Sequence, residues 1–297
     1  MIYIIKEARA IMIPTLNPIT VGGWSLPFLD FLDAAAGAEF RAIEYSVEPF
    51  ADVARAQSLQ AAKDLLAARH LTIGSFGLPV EFRKDEAAFQ AGLRKLPELA
   101  TLANALGADR CCSWLWPATD EPVAEVTSRY IRRLRACAGV LADHGIRFGI
   151  EWVGTKTLRT MKHDFIHTLP GVLELIGAID RPNVGVLFDS FHWYTSGATR
   201  DDILALKPEQ IVLVHINDAP DKPVDEQIDN QRLLPGEGVI DLNGMLDALR
   251  RIGYDSYVSA EVFSDTLPLL GPEEAAKKTK EAMERAFANA STGGAPR

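Results

Sequence analysis

Glu151, Asp189, His192, His215 and Glu261 are the side chains of this 297-residue sequence whose types and spacing could do chemistry. Four of them close apolar runs, IRFGIE, NVGVLFD, IVLVH and YVSAE, and His192 stands three residues beyond Asp189. Such runs read as strands buried on both faces, as in a parallel sheet. An acid or an imidazole at the tip of a buried strand is costly unless pairing, hydrogen bonding or a metal compensates it. Three carboxylates brought close would raise one another's pKa, and a divalent cation removes that conflict. Three oxygens and one imidazole nitrogen suit Mn²⁺ or Zn²⁺, with Mg²⁺ and Co²⁺ also compatible. The set is too rich in oxygen for a structural zinc site. Taken singly, each residue has a plainer reading: an acid as helix N-cap or solvated loop residue, His215 as a hydrogen-bonded core histidine. The metal expectation rests on four of them recurring at equivalent places.

The elements that must position them alternate. Strands are expected at about 10–16, 40–47, 71–78, 111–116, 146–153, 183–189, 211–216 and 257–263. Helices are expected between and after them at 24–36, 53–69, 85–106, 122–141, 165–179, 200–206, 241–251 and 273–290. Pro and Gly mark many of the ends, as at Pro14, Gly107, Pro117, Gly145 and Gly253. Eight strand–helix units with no composition break predict an α/β fold, a (β/α)8 TIM barrel forming a single domain over 1–297 with a frayed tail from about 291. A doubly wound open sheet is the alternative, but no G-x-G-x-x-G follows an early strand. In a barrel the strand tips share one rim, so Glu151, Asp189, His215 and Glu261 would meet there.

Other residues belong to the same rim. Trp114 and Trp116 end the fourth strand and could stack on the C–H faces of a sugar, the alternative being rim packing. Arg232 lies in QRLLPGEGVIDL, in a loop of over twenty residues, long enough to be functional. It could anchor a substrate hydroxyl or carbonyl, or pair with Asp225 or Asp229 at the surface. Phe82 and Arg83 are further candidates to line the mouth.

With 47% hydrophobic and 24% charged residues, the chain can bury a sizeable core. A net charge of −9 argues against nucleic acid as partner and leaves a small neutral or polar ligand open. Three cysteines, Cys111, Cys112 and Cys137, lack metal-binding spacing and read as buried reduced thiols, which suggests a cytoplasmic setting. MIYII is too short for a signal peptide or span, so no membrane role is expected. A homo-oligomer is compatible with all of this.

The stretches GIEWVG at 149–154, NVGVLFDSFHWYTSG at 183–197, the run from 211 to 242 and GYDSYVSAEVF at 253–263 resemble the xylose-isomerase-like (β/α)8 barrels, the sugar phosphate isomerase/epimerase group. Within that group the chain resembles the inosose isomerases of inositol catabolism. The resemblance is strong over roughly 145–290 and only general before that. It implies one divalent metal held by Glu151, Asp189, His215 and Glu261, with His192 and Arg232 facing substrate. The implied reaction is isomerisation or epimerisation of a ketose or keto-cyclitol, with Glu151 and Glu261 moving the proton through a metal-stabilised enediolate. Ketose epimerases of the group carry a further glutamate shortly after the first ligand, where this chain reads TKTLRT. The extra histidines of endonuclease IV are absent too. An inosose-type dehydratase and a non-catalytic sugar-binding barrel or subunit of a larger complex are the alternatives.

Overall fold

A computed structural model describes residues 12–291 of the chain. Eight parallel strands close into a barrel: β1 Ile13–Leu16, β2 Ala42–Glu44, β3 Thr72–Gly77, β4 Arg110–Trp114, β5 Arg147–Glu151, β6 Val184–Asp189, β7 Ile211–Ile216 and β8 Tyr257–Ala260. Each strand pairs with its sequence neighbours, and β1 pairs with β8 to close the ring. The expected (β/α)8 TIM barrel is the observed fold. In β6 and β7 every residue is buried, because helices cover the outer face while the barrel interior fills the inner one.

The barrel's outer layer is made of α1 Phe28–Gly37, α2 Glu48–Ala56, α3 Leu59–Ala67, α4 Glu86–Ala105, α5 Val123–Asp143, α6 Leu169–Ile179, the short α7 Ser190–Thr195 and α8 Arg200–Leu204, then α9 Leu242–Arg251 and α10 Pro272–Ser291. The main core lies between ring and helices, and a smaller cluster of Cys112, Leu187, Val212 and Leu213 packs across the inside of the ring.

Boundaries shift where local chemistry outweighs periodicity. The single helix expected over 53–69 is two, because Ser58 caps α3 by accepting from the Ala61 amide at 3.0 Å. The helix expected from 24 begins after Pro27, preceded by two 3-10 turns. The residues just after β6, for which no helix is expected, are helical, since Asp189 caps α7. Strands β2, β4, β5 and β8 stop earlier than the apolar runs suggest, so Glu261 lies one residue beyond β8. A two-stranded antiparallel clip, Ala118–Thr119 with His163–Asp164, has no counterpart among the expected elements. The expected frayed tail beyond Ser291 lies outside the described residues, as do the first residues of the first expected strand.

Candidate metal centre

At the carboxyl rim, ligand-capable atoms of Glu151, Asp189, His215 and Glu261 all lie within 4.8 Å of one another. His215 is the hub. Its Nδ1 stands 3.3 Å from Glu261 Oε2, 3.7 Å from Asp189 Oδ2 and 3.8 Å from Glu151 Oε1. Its Nε2 meets Glu44 Oε2 at 2.9 Å. A register shift between Ile43 and Glu44, at the end of the three-residue β2, sets Glu44 opposite Ser75. Burial alone would raise the Glu44 carboxyl, but His215 beside it outweighs burial and holds it below the ordinary value. An ionised carboxylate only accepts, so Nε2 donates to Glu44 and Nδ1 is the nitrogen that faces the three acids.

Asp189 does two things. Its Oδ1 caps α7, accepting from the amides of Phe191 at 2.6 Å and His192 at 3.1 Å. Its Oδ2 accepts from Asn217 Nδ2 and Arg232 Nη1, each at 3.0 Å. The N-cap and ligand readings of this aspartate are therefore compatible. Burial would raise its pKa, but Arg232, His192 and His215 bring it below the ordinary value. Glu151 goes the other way. Burial first, then Glu261 and Asp189, push it well above the ordinary carboxylate range. For His215, burial pulls downward, yet Glu261 and Glu44 outweigh it and hold the imidazole well above its usual value.

The donor set fits a divalent cation on an observation of its own. Glu151 Oε1 and His215 Nδ1 are buried polar atoms with no hydrogen-bond partner. Each such orphan costs about 1–3 kcal/mol, and a cation between them relieves both while neutralising the surplus of carboxylates.

Arg232 and His192 lie behind this layer. Every N–H of the Arg232 guanidinium is engaged: Nε to the Asp229 carbonyl, Nη1 to Asp189 and Glu261, Nη2 to Asp229 Oδ1 and His192 Nε2. Its plane is sandwiched between the rings of Phe191 and Phe263, 5.0 and 4.9 Å away. Asp229, one of its two expected surface partners, pairs with it inside the protein. His192 is 2% exposed, lies 3.4 Å from Thr155 Oγ1 through Nδ1, and burial lowers its pKa, so it stands as a neutral acceptor to Arg232. Neither residue lines the cavity over the acid cluster, although both are expected to face substrate.

That cavity, about 320 Å³, is walled by Glu44, Glu151, His215 and Glu261 below and by Tyr45, Arg83, Trp114 and Phe263 around the mouth. Trp114 lines it; Trp116 lies beside Trp114 but outside it. Phe82 is fully buried under Arg83. Glu44 and Asp229 complete the centre, although neither is among the expected ligand or substrate residues. The acid near the end of the second apolar run was the only signal for Glu44. The long loop is itself fixed: Asp218 accepts from the amides of Ala219, Gly236 and Ile240. A Cβ on Gly238 would lie 2.1 Å from the Ala219 carbonyl oxygen, so the second glycine of the Pro-Gly-Glu-Gly turn is obligatory.

The model of the xylose isomerase-like TIM barrel family matches residues 32–286. The chain belongs to that family. It is 31% identical over 151 residues to the inosose isomerase of Bacillus velezensis, 51% of this chain and 52% of that protein. The chain thus spans about half the length of the first curated relatives it matches. A xylose isomerase domain protein from Alicyclobacillus acidocaldarius is 35% identical, covering 94% of this chain and 99% of that one with a TM-score of 0.88. An IOLI protein crystallised with a bound zinc atom shares the fold at 22% identity, covering 94% and 99% with a TM-score of 0.78. Among the described residues no helix is long and apolar enough to cross a membrane.

Proposed function

We propose that this protein is a divalent-metal-dependent isomerase or epimerase of a keto-cyclitol or ketose. The observation that carries this reading is the convergence of Glu151, Asp189 and Glu261 on the unpartnered Nδ1 of His215 at the floor of a cavity. The likeness to inosose isomerase supports the substrate class, and the zinc in the IOLI protein supports Zn²⁺ beside Mn²⁺ as the ion.

Glu151, Asp189, His215 and Glu261 would hold the ion. When bound, it supplies Lewis-acid polarisation of a carbonyl and so acidifies the adjoining C–H. The chain's own residues do the rest. Glu151 and Glu261 both border the cavity, so one can remove the α-proton and the other return it to the neighbouring carbon. Arg232 fixes the carboxylate of Glu261 from behind at 3.1 Å, so its orientation is set before substrate arrives. Glu44 fixes the imidazole ring of His215 in the same way. Trp114 and Phe263 narrow the mouth and exclude water from the reacting carbons.

The test is deuterium exchange. Metal-loaded protein in D₂O is incubated with a panel of inososes and ketoses, and the products are read by NMR and mass spectrometry. Deuterium at carbon next to the carbonyl, without mass loss, is the expected result. Loss of water would make the protein a dehydratase, and absence of exchange with metal bound would make it a binding barrel.

A further inference from the structure

A second cavity, about 490 Å³, adjoins the one over the acid cluster and shares Arg83 and Trp114 with it as a common wall. Its own lining adds Trp116, Met161, Tyr130 and Phe165. Trp116 and Met161 are 38% and 36% exposed, so their apolar surface is open to a ligand rather than spent in the core. The first cavity lies near the lower end of the range of about 300–1,000 Å³ usual for small-molecule sites. It has room for one sugar ring, and a larger molecule would continue over Arg83 into the second.

The wall between them is built, not incidental. Trp114 and Trp116 meet edge to face with ring centres 4.6 Å apart. The Arg83 guanidinium is stacked between Phe82 and Trp114, 4.3 Å from each ring centre. Buried Arg133 holds the carbonyls of Phe82 at 2.8 Å and Lys84 at 2.6 Å, one on each side of Arg83. The strand pair Ala118–Thr119 with His163–Asp164 ties the segment carrying Trp116 to the one carrying Met161. Arg83 donates to Ser113 Oγ at 3.0 Å and to the Trp114 carbonyl, but its buried Nε has no partner. A guanidinium fixed by Glu81, Ser113 and the Trp114 carbonyl thus stands at the threshold between two cavities. Glu81, Asp120 and Glu121 border the second cavity against Arg83 and Lys84, a balance that does not favour an anionic occupant.

We propose that the second cavity is a subsite for a neutral ring, aryl or glycosyl, carried on the reacting keto-sugar, with Arg83 and Trp114 as the wall over which the two parts join. This rests on the isomerase reading for the first cavity. The substrates are then two-ring compounds rather than free monocyclic sugars, with Trp116 as the platform for the distal ring.

The test uses glycosides that cannot react, so it does not depend on turnover. Binding of phenyl β-D-glucopyranoside and methyl β-D-glucopyranoside to the Mn²⁺-loaded protein is measured by calorimetry and by tryptophan fluorescence. The phenyl glucoside should bind about tenfold tighter, the scale of one good aromatic contact, and should quench fluorescence. Trp116→Ala should abolish the gain, and Met161→Glu, on another wall, should reduce it. Arg83→Met should weaken both ligands, since Arg83 is part of the wall common to both cavities. Equal affinity for the two glycosides, a gain that Trp116→Ala leaves intact, or no detectable binding of either would overturn the subsite. Deuterium exchange failing while the phenyl gain persists would remove the isomerase reading alone.

Discussion

Arg232 Nη1 donates to Asp189 Oδ2 at 3.0 Å between two side chains that are 1% and 0% exposed. The same nitrogen reaches Glu261 Oε2 at 3.1 Å. One cation therefore orients two acids through the same oxygens that face His215 Nδ1, 3.7 and 3.3 Å away. Arg232→Met should leave those carboxylates buried without their partner and cost about 3–5 kcal/mol of stability, read as a lowered midpoint in urea unfolding. Arg232→Lys should recover only part of the loss, because an ammonium cannot reproduce a planar fork engaged at all five donors. Unchanged stability in the methionine variant would show that the pairing is not what holds the acids.

Glu44→Gln should weaken metal binding about 10- to 100-fold, the usual effect of removing a partner that orients a ligand. Competition with a chromophoric chelator measures it directly. Turnover at saturating metal should fall much less than metal affinity. Unaltered metal affinity would remove Glu44 from the centre.

Glu261→Gln should lower kcat about 10²- to 10⁴-fold, the range for a general acid–base group. Far-UV circular dichroism should stay as in the parent, since Glu261 lies outside the regular strands. A fully active variant would leave proton transfer to another residue.

Gly154 packs its Cα against α7. A Cβ there would lie 2.5 Å from the His192 carbonyl oxygen and 2.8 Å from the Ser196 nitrogen. Gly154→Ala should cost about 1–3 kcal/mol through overpacking and, by shifting the helix that Asp189 caps, also weaken metal binding. Calorimetric unfolding with and without metal checks both parts.

Cys111, Cys112 and Cys137 are buried free thiols. Burial pushes Cys112 and Cys137 up to about 12, and Cys111 well above its ordinary value. At pH 8 a thiol at that level is thiolate to a fraction on the order of 10⁻⁴. The native protein should give no reaction with Ellman's reagent over minutes, and three equivalents should react in guanidinium chloride. Rapid native reaction would mean that the barrel opens locally.

The four ligand candidates were legible because each ends its own apolar run, a signal contained within some eight residues. Glu44 also ends such a run, but nothing local distinguishes it from a solvated acid, because its partner His215 is 171 residues away. Asp229 has the same difficulty inside a loop whose path depends on Asp218 and two glycines. Arg232 was visible as a residue but not in its role. An arginine in a long loop reads as reaching outward, whereas here aromatic rings and acids enclose it. The split between α2 and α3 was available in principle, from Pro49 at a helix start and Ser58 at a cap, but alanine-rich periodicity runs straight across it. The clip that holds Trp116 leaves no pattern, since two-residue strands are too short to show alternation.

The bond between Glu44 and His215 crosses the place where the ring is sewn shut. Around the barrel, β2 and β7 are separated by β1 and β8, the first and last strands of the ring in chain order. A fragment carrying β5 to β8 would hold all four ligand candidates and still lack the carboxylate that sets the tautomer of the central imidazole. Tight metal uptake is therefore a gauge of ring closure, acquired only after the opening segment of the chain has met its final strand. Measured during refolding, it should lag behind secondary structure and coincide with the last step to the native barrel.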